Sequence, residues 1–196
     1  AHDAGAIAGT WVLNIQADKV HGDALFARTF GLDEAECAAG LPLEAAVSAI
    51  HPIDRPQVEA AINRALETGG TYRARYRVTD ANGTQRWIQA NGKVDLGADG
   101  VPLRFPGVLI DVTDLVEAQA ARDKTTAILE TFIDAVPGVV YAKGLDGRMM
   151  LANRGTLNLF GKPLEEVIDK TDIEFLACPE QAKIIMDNDQ RIMSRG

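Results

Sequence analysis

The tightest constraint on how this chain can fold is the stretch from Thr71 to Val112, where three β-prone runs follow one another with only tight turns between them. Thr71–Thr79, Gln85–Asp95 and Leu103–Val112 are separated by Asn82-Gly83 and Asp99-Gly100, pairs that tolerate positive φ and therefore suit hairpins. Strands joined this way must pair antiparallel, which predicts a three-strand meander. Upstream, Thr10–Ile15 and Lys19–Gly22 read as two shorter strands, Ala24–Phe30 as a helix stopped by Gly31, and Leu43–Ile50 as a short helical region. A longer helix is predicted over Arg55–Glu67, where Val58, Ala61, Ile62, Ala65 and Leu66 form one apolar stripe. Asp54 is its expected N-cap, with Gln57 three positions on, and Gly69-Gly70 ends it. The fold class that results is α+β, a five-stranded antiparallel sheet with helices on one face.

From Asp114 to Ala135 the period changes. There is no Gly or Pro, and Leu115, Ala118, Arg122, Thr125, Leu129, Phe132 and Val136 recur at spacings of three and four, a short coiled-coil seam with a polar middle. After Pro137-Gly138 the opening pattern returns: Val139–Lys143 and Arg148–Ala152 as strands about Asp146-Gly147, then a short helix before Gly161, with further helical candidates at Leu164–Ile168 and Glu180–Met193. No second meander follows. The expected organisation is therefore a complete domain over 1–113, a linker helix over 114–135, and over 136–196 the N-terminal part of a second such domain, incomplete and so poorly ordered, remodelled or completed from elsewhere.

Charge narrows the partners. Twenty-eight acidic against 20 basic residues give a net charge of −8, which disfavours nonspecific nucleic-acid binding and anionic membrane surfaces, since both need clustered Lys and Arg. The apolar runs are strand-sized, far below the roughly 20 residues of a membrane span. Cys37 and Cys178 stand far apart without metal spacing, so no disulfide is expected and a cytoplasmic setting is the default. His2 is terminal, His21 falls in a strand or turn and His51 precedes Pro52, a set with no metal spacing. No P-loop, dinucleotide-binding glycine pattern, HExxH or GxSxG occurs, so no catalysis is expected of this segment.

Several motifs taken in order resemble the PAS family of sensor modules. They are Gly9-Thr10-Trp11, His51-Pro52-Ile53-Asp54-Arg55, Tyr76-Arg77, Asn82-Gly83, Arg86-Trp87, Pro106-Gly107 and Asp111-Val112-Thr113-Asp114. The second half is similar to the start of another PAS domain through Ile133–Tyr141, Asp146-Gly147, Ala152-Asn153 and Gly161–Glu166, an arrangement like the tandem PAS regions of bacterial sensor histidine kinases.

The resemblance implies a cavity lined by Arg75, Ile88, Ala90, Phe105 and Leu109 and roofed by Phe26 and Phe30. Such a buried Arg75 would need either a protein carboxylate or a bound anionic metabolite, the latter being the small-molecule alternative. The other sheet face would present Tyr76, Trp87, Val108 and Ile110, which with Leu115, Leu129 and Phe132 make the expected homodimer face. Asp111, Thr113 and Asp114 would pass a signal from the last strand into the following helix. No cofactor is expected: the helix before the meander has no His for haem, and neither cysteine has the context of a covalent flavin site.

Overall fold

The computed structural model describes residues 6–80 and 82–193; His2 lies outside them. The chain divides into two compact units, Ala1–Ala120 and Ala121–Gly196.

In the first unit, β1 (Ile7–Asn14) and β2 (Lys19–Gly22) form a hairpin, followed by α1 (Ala24–Phe30), α2 (Glu34–Ala39), α3 (Leu43–Ser48) and α4 (Arg55–Thr68). Then come β3 (Thr71–Thr79), β4 (Gln85–Lys93), β5 (Asp95–Leu96) and β6 (Pro102–Asp111). The strand order is β2-β1-β6-β4-β3, with β5 beside β6 and every pairing antiparallel. The expected second strand of the meander breaks because Val94 turns inward, buried, with its N–H donating to Gly70 O at 3.1 Å. The five strands expected from the sequence are therefore five plus the two-residue β5. Asp33, accepting from Glu36 N at 2.9 Å, caps α2, a helix whose short apolar content gives no periodic signal.

Strand alternation decides the core. Tyr72, Tyr76 and Val78 of β3, Ile88 and Ala90 of β4, and Phe105 and Leu109 of β6 are buried in one cluster with Phe26 and Phe30 of α1 and Val58, Ile62 and Ala65 of α4. One row across the sheet explains two glycines: Trp11 pairs with Gly107, Gly107 with Gly92 and Gly92 with Tyr72. The two aromatics reach inward over the glycines and meet the Phe105 ring edge-on, with centroids 4.8 Å (Trp11) and 5.5 Å (Tyr72) away. A Cβ on Gly107 would collide with the Trp11 ring and lie 2.8 Å from Asn91 O.

Asp54 does not cap α4 with its side chain. Its carboxylate instead takes three bonds from Arg77 on β3: backbone N–H at 2.9 Å, Nε at 2.8 Å and Nη2 at 2.7 Å. The bidentate guanidinium is the stronger partner for a mostly buried carboxylate, and it ties the start of α4 to the sheet.

α5 (Thr113–Ala135) continues directly from β6, and the division between units falls inside it. The second unit holds the hairpin β7 (Tyr141–Lys143) and β8 (Met149–Ala152), α6 (Arg154–Phe160), a 3₁₀ turn at Leu164–Glu166, α7 (Asp172–Phe175) and α8 (Pro179–Met193). Met149, Val167 and Phe175 are its buried centre, with Leu157, Phe160 and Ile168 packed against them. Asn153 holds it together locally: its Oδ1 accepts from Val140 N and Thr156 N, and its Nδ2 donates to Gly138 O and Ile133 O.

Gly107→Ala is expected to lower the first unit's stability by about 1–3 kcal/mol, the cost of overpacking. A urea titration would show a lower midpoint at unchanged slope; an unaltered midpoint would mean the indole moves aside freely.

Candidate functional site

Two features of the first unit carry chemistry. The first is a cavity of about 40 Å³ between the sheet and α1, α3 and α4. Trp11, Leu13, Tyr72, Tyr76 and Phe105 line it from the sheet, Phe26 and Phe30 from α1, and Val47, Ile50, Val58 and Ile62 from the helical layer. Phe26 and Phe30 stack with centroids 4.6 Å apart. The space is water-sized, far below the roughly 300–1,000 Å³ of pockets that hold drug-sized ligands. Trp11, Tyr72 and Tyr76 are the lining residues whose side chains carry a polar group, and burial pushes both phenols well above their usual range.

Of the residues expected to line this space, Phe26, Phe30 and Phe105 do so, while Ile88, Ala90 and Leu109 are buried deeper in the same core. Arg75 is placed otherwise. It is exposed on the outer face, because β3–β4 register sets Arg75 opposite Gln89 and Tyr76 opposite Ile88, and directly opposed residues share a face. The same register moves Tyr76 from the expected dimer face to the cavity wall, 3% exposed. An anionic ligand held inside by Arg75 is incompatible with that placement. Trp87, Val108 and Ile110 do lie on the outer face, half-buried, with the Arg77 guanidinium 5.2 Å above the Trp87 ring.

The second feature is the junction of β4, β6 and α5. Asp111 Oδ1 accepts from Thr113 N at 2.9 Å and from Thr113 Oγ1 at 2.6 Å, capping the first turn of α5. Thr113 Oγ1 in turn accepts from Trp87 N at 3.0 Å, and Val112 N donates to Trp87 O at 2.9 Å. Arg86 bridges the other side, with Nη1 3.0 Å from Asp111 Oδ2 and Nε 2.9 Å from Asp80 Oδ2. Asp80 Oδ1 shapes the β3–β4 turn by accepting from Asn82 N and Thr84 N. Asp114 sits exposed in the first turn of α5, where the helix dipole favours a carboxylate. Leu115, Leu129 and Phe132 are exposed along the same helix, as is Ile128.

The motifs in the sequence point to Asp111 and Thr113 but give no role to Arg86, Asp80 or the Asp54–Arg77 pair. The short turn between Asp80 and Thr84, with an arginine on the returning strand, is the signal that marks the first two.

The Arg86 bond and those from the turn's amides hold Asp80 below the usual carboxylate range. For Asp111, burial opposes ionisation, but bonds from Thr113 and Arg86 outweigh it and its carboxyl too is lowered. In the unfolded chain an aspartate titrates near pH about 3.9, so these groups stabilise the fold fully above that value and progressively less as pH falls through their lower folded values. Arg86→Gln should lower the urea midpoint at pH 7 and flatten the loss of stability between about pH 4 and pH 2, measured by circular dichroism. An acid limb as steep as in the unaltered chain would count against the assignment.

Profiles of the PAS fold match residues 19–109 and again residues 133–196. The chain is 21% identical over 183 residues to the sensor protein FixL of Bradyrhizobium diazoefficiens, covering 93% of this chain and 34% of that protein. It is 26% identical over 118 residues to the blue-light-activated histidine kinase of Brucella anthropi, covering 60% of this chain and 23% of that one. The chain thus spans about a third or less of these relatives' length. The crystal structure of a sensory box histidine kinase/response regulator from Burkholderia thailandensis superposes with a TM-score of 0.53 at 30% identity, covering 63% of this chain and 90% of that one. With the antiparallel sheet, the helices over its inner face and both profile matches, the chain belongs to the PAS family.

Proposed function

We propose that the chain is the sensory and dimerisation part of a sensor histidine kinase, passing a signal from the first unit into α5 through Asp111-Val112-Thr113-Asp114. The observation that carries this reading is the position of Thr113. Its hydroxyl is bonded at once to the β4 backbone and to the last residue of β6, while its own backbone begins the helix. A shift of β4 against β6 therefore has to re-form the first turn of α5. Resemblance to two curated sensor proteins and a sensory-box kinase structure supports the same reading. Any phosphotransfer would belong to other parts of such a protein.

The small cavity favours a signal that alters packing around Tyr72 and Tyr76 over one carried by a bulky cofactor, and no haem or flavin is assigned to it. Among the described residues, no helix is long and apolar enough to cross a membrane, and a cytoplasmic location goes with this reading. Homodimer formation would use the exposed seam of α5, with Leu115, Leu129 and Phe132 facing a second copy, together with the Trp87, Val108 and Ile110 face. The polar middle of the seam, Arg122 and Thr125, would keep two helix packings close in energy, as a switch requires.

Sedimentation of the purified chain is expected to show a dimer at micromolar concentration. Leu129→Glu with Phe132→Glu should give a monomer whose first unit melts as before. A chain that is monomeric at every concentration would overturn the dimer reading.

A further inference from the structure

The two units share a backbone scheme, so their residues can be matched through hydrogen bonds. Asp23 N donates to Thr10 O as Asn153 N donates to Val140 O; Asp23 caps α1 as Asn153 caps α6. Leu13 pairs with Val20 as Lys143 pairs with Met149. Val20 N donates to Leu41 O as Met149 N donates to Lys170 O, and Leu43 and Asp172 open the helices that follow. Val58 N donates to Asp54 O as Ala182 N donates to Cys178 O, which aligns α4 with α8 and sets Ala65 against Asp189.

At three matched positions an apolar set in the first unit, Leu13, Leu43 and Ala65, is replaced by an ionic one. Lys143 Nζ lies 2.6 Å from Asp172 Oδ2 and 2.5 Å from Asp189 Oδ2. The Lys143 and Asp172 side chains are 6% and 2% exposed, whereas Asp189 retains 20%. Three elements, β7, α7 and α8, are joined through one ammonium.

We propose that this trio makes α8 a releasable strap: Asp189 fastens the helix to the hairpin, and it can let go without leaving a charge buried and unpaired. Breaking a buried pair is costly because it strands an uncompensated ion. Two carboxylates on one lysine remove that cost. When Asp189 leaves, Lys143 and Asp172 remain a neutral pair inside, and Asp189 enters water from a position already partly wet. The apolar hold on the helix is modest, for Ala182 is its one fully buried apolar residue among those described, Ile185 and Met186 are half-buried, and Ile184 and Ile192 are largely exposed. The apolar set of the first unit has no such release, since freeing α4 would expose Val58, Ile62 and Ala65 together.

Hydrogen exchange followed by mass spectrometry on the 196-residue chain tests this. Asp189→Asn is expected to speed exchange in α8 by about tenfold or more while β7, β8 and α6 stay within about threefold of the unaltered chain, the signature of local opening. Asp189→Glu should restore protection, and Asp187→Asn, which removes an exposed charge from the same helix, should change nothing. An α8 that exchanges at the unfolded rate in the unaltered chain, one unmoved by Asp189→Asn, or a hairpin that loses protection along with it would each overturn the strap.

Discussion

The register between β3 and β4 governs the first unit. Setting Tyr76 against Ile88 turns every second residue of β3 toward the helices, so two tyrosines reach the cavity and three arginines face outward. The turn that fixes this register is built by Asp80, whose carboxylate holds the Asn82 and Thr84 amides and, through Arg86, reaches Asp111. A one-residue slip would bury the arginines and expose the tyrosines, so the polar turn and the apolar core enforce the same pairing. The exit into α5 rests on the same strands, with Thr113 bonded both to the β4 backbone and to the last residue of β6.

Much of this architecture is legible in the residues themselves. Asn82-Gly83 and Asp99-Gly100 announce the meander, Gly31 and Gly69 stop their helices with left-handed backbones, and the recurrence after Pro137 announces a second unit. The residues do label the two sides of β3, since Arg73, Arg75 and Arg77 alternate with Tyr72, Ala74, Tyr76 and Val78, but the resemblance, which sets the residue before Tyr76 in the cavity, points the other way. The partner strand carries the same label: Ile88 and Ala90 are unambiguous, and pairing transfers it to Tyr76 and Ala74. Asp54 misleads for a different reason. An aspartate before a helix is a good N-cap locally, but Arg77 lies 23 positions away and only the fold brings it near.

The second unit repeats the strand, strand and helix opening of the first. Met149, Val167 and Phe175 close a small centre around its hairpin, and Asn153 stitches the hairpin to the preceding segment. The same backbone scheme thus supports two interiors of opposite character, greasy and aromatic in one unit, partly ionic in the other.

The flanks of the first unit's sheet also bear on how such molecules meet. On β3, Ile50 bridges to Val78, His51 N donates to Arg77 O, Gln57 reaches Arg75 O and Asp54 receives Arg77 N. On β2, Leu41 exchanges both backbone bonds with Val20. The segments leading into α3 and α4 therefore act as selvedges, finishing part of each border of the woven sheet with the chain's own thread. Where they lie, another strand finds the border already occupied, so fibre-like growth by edge addition is discouraged.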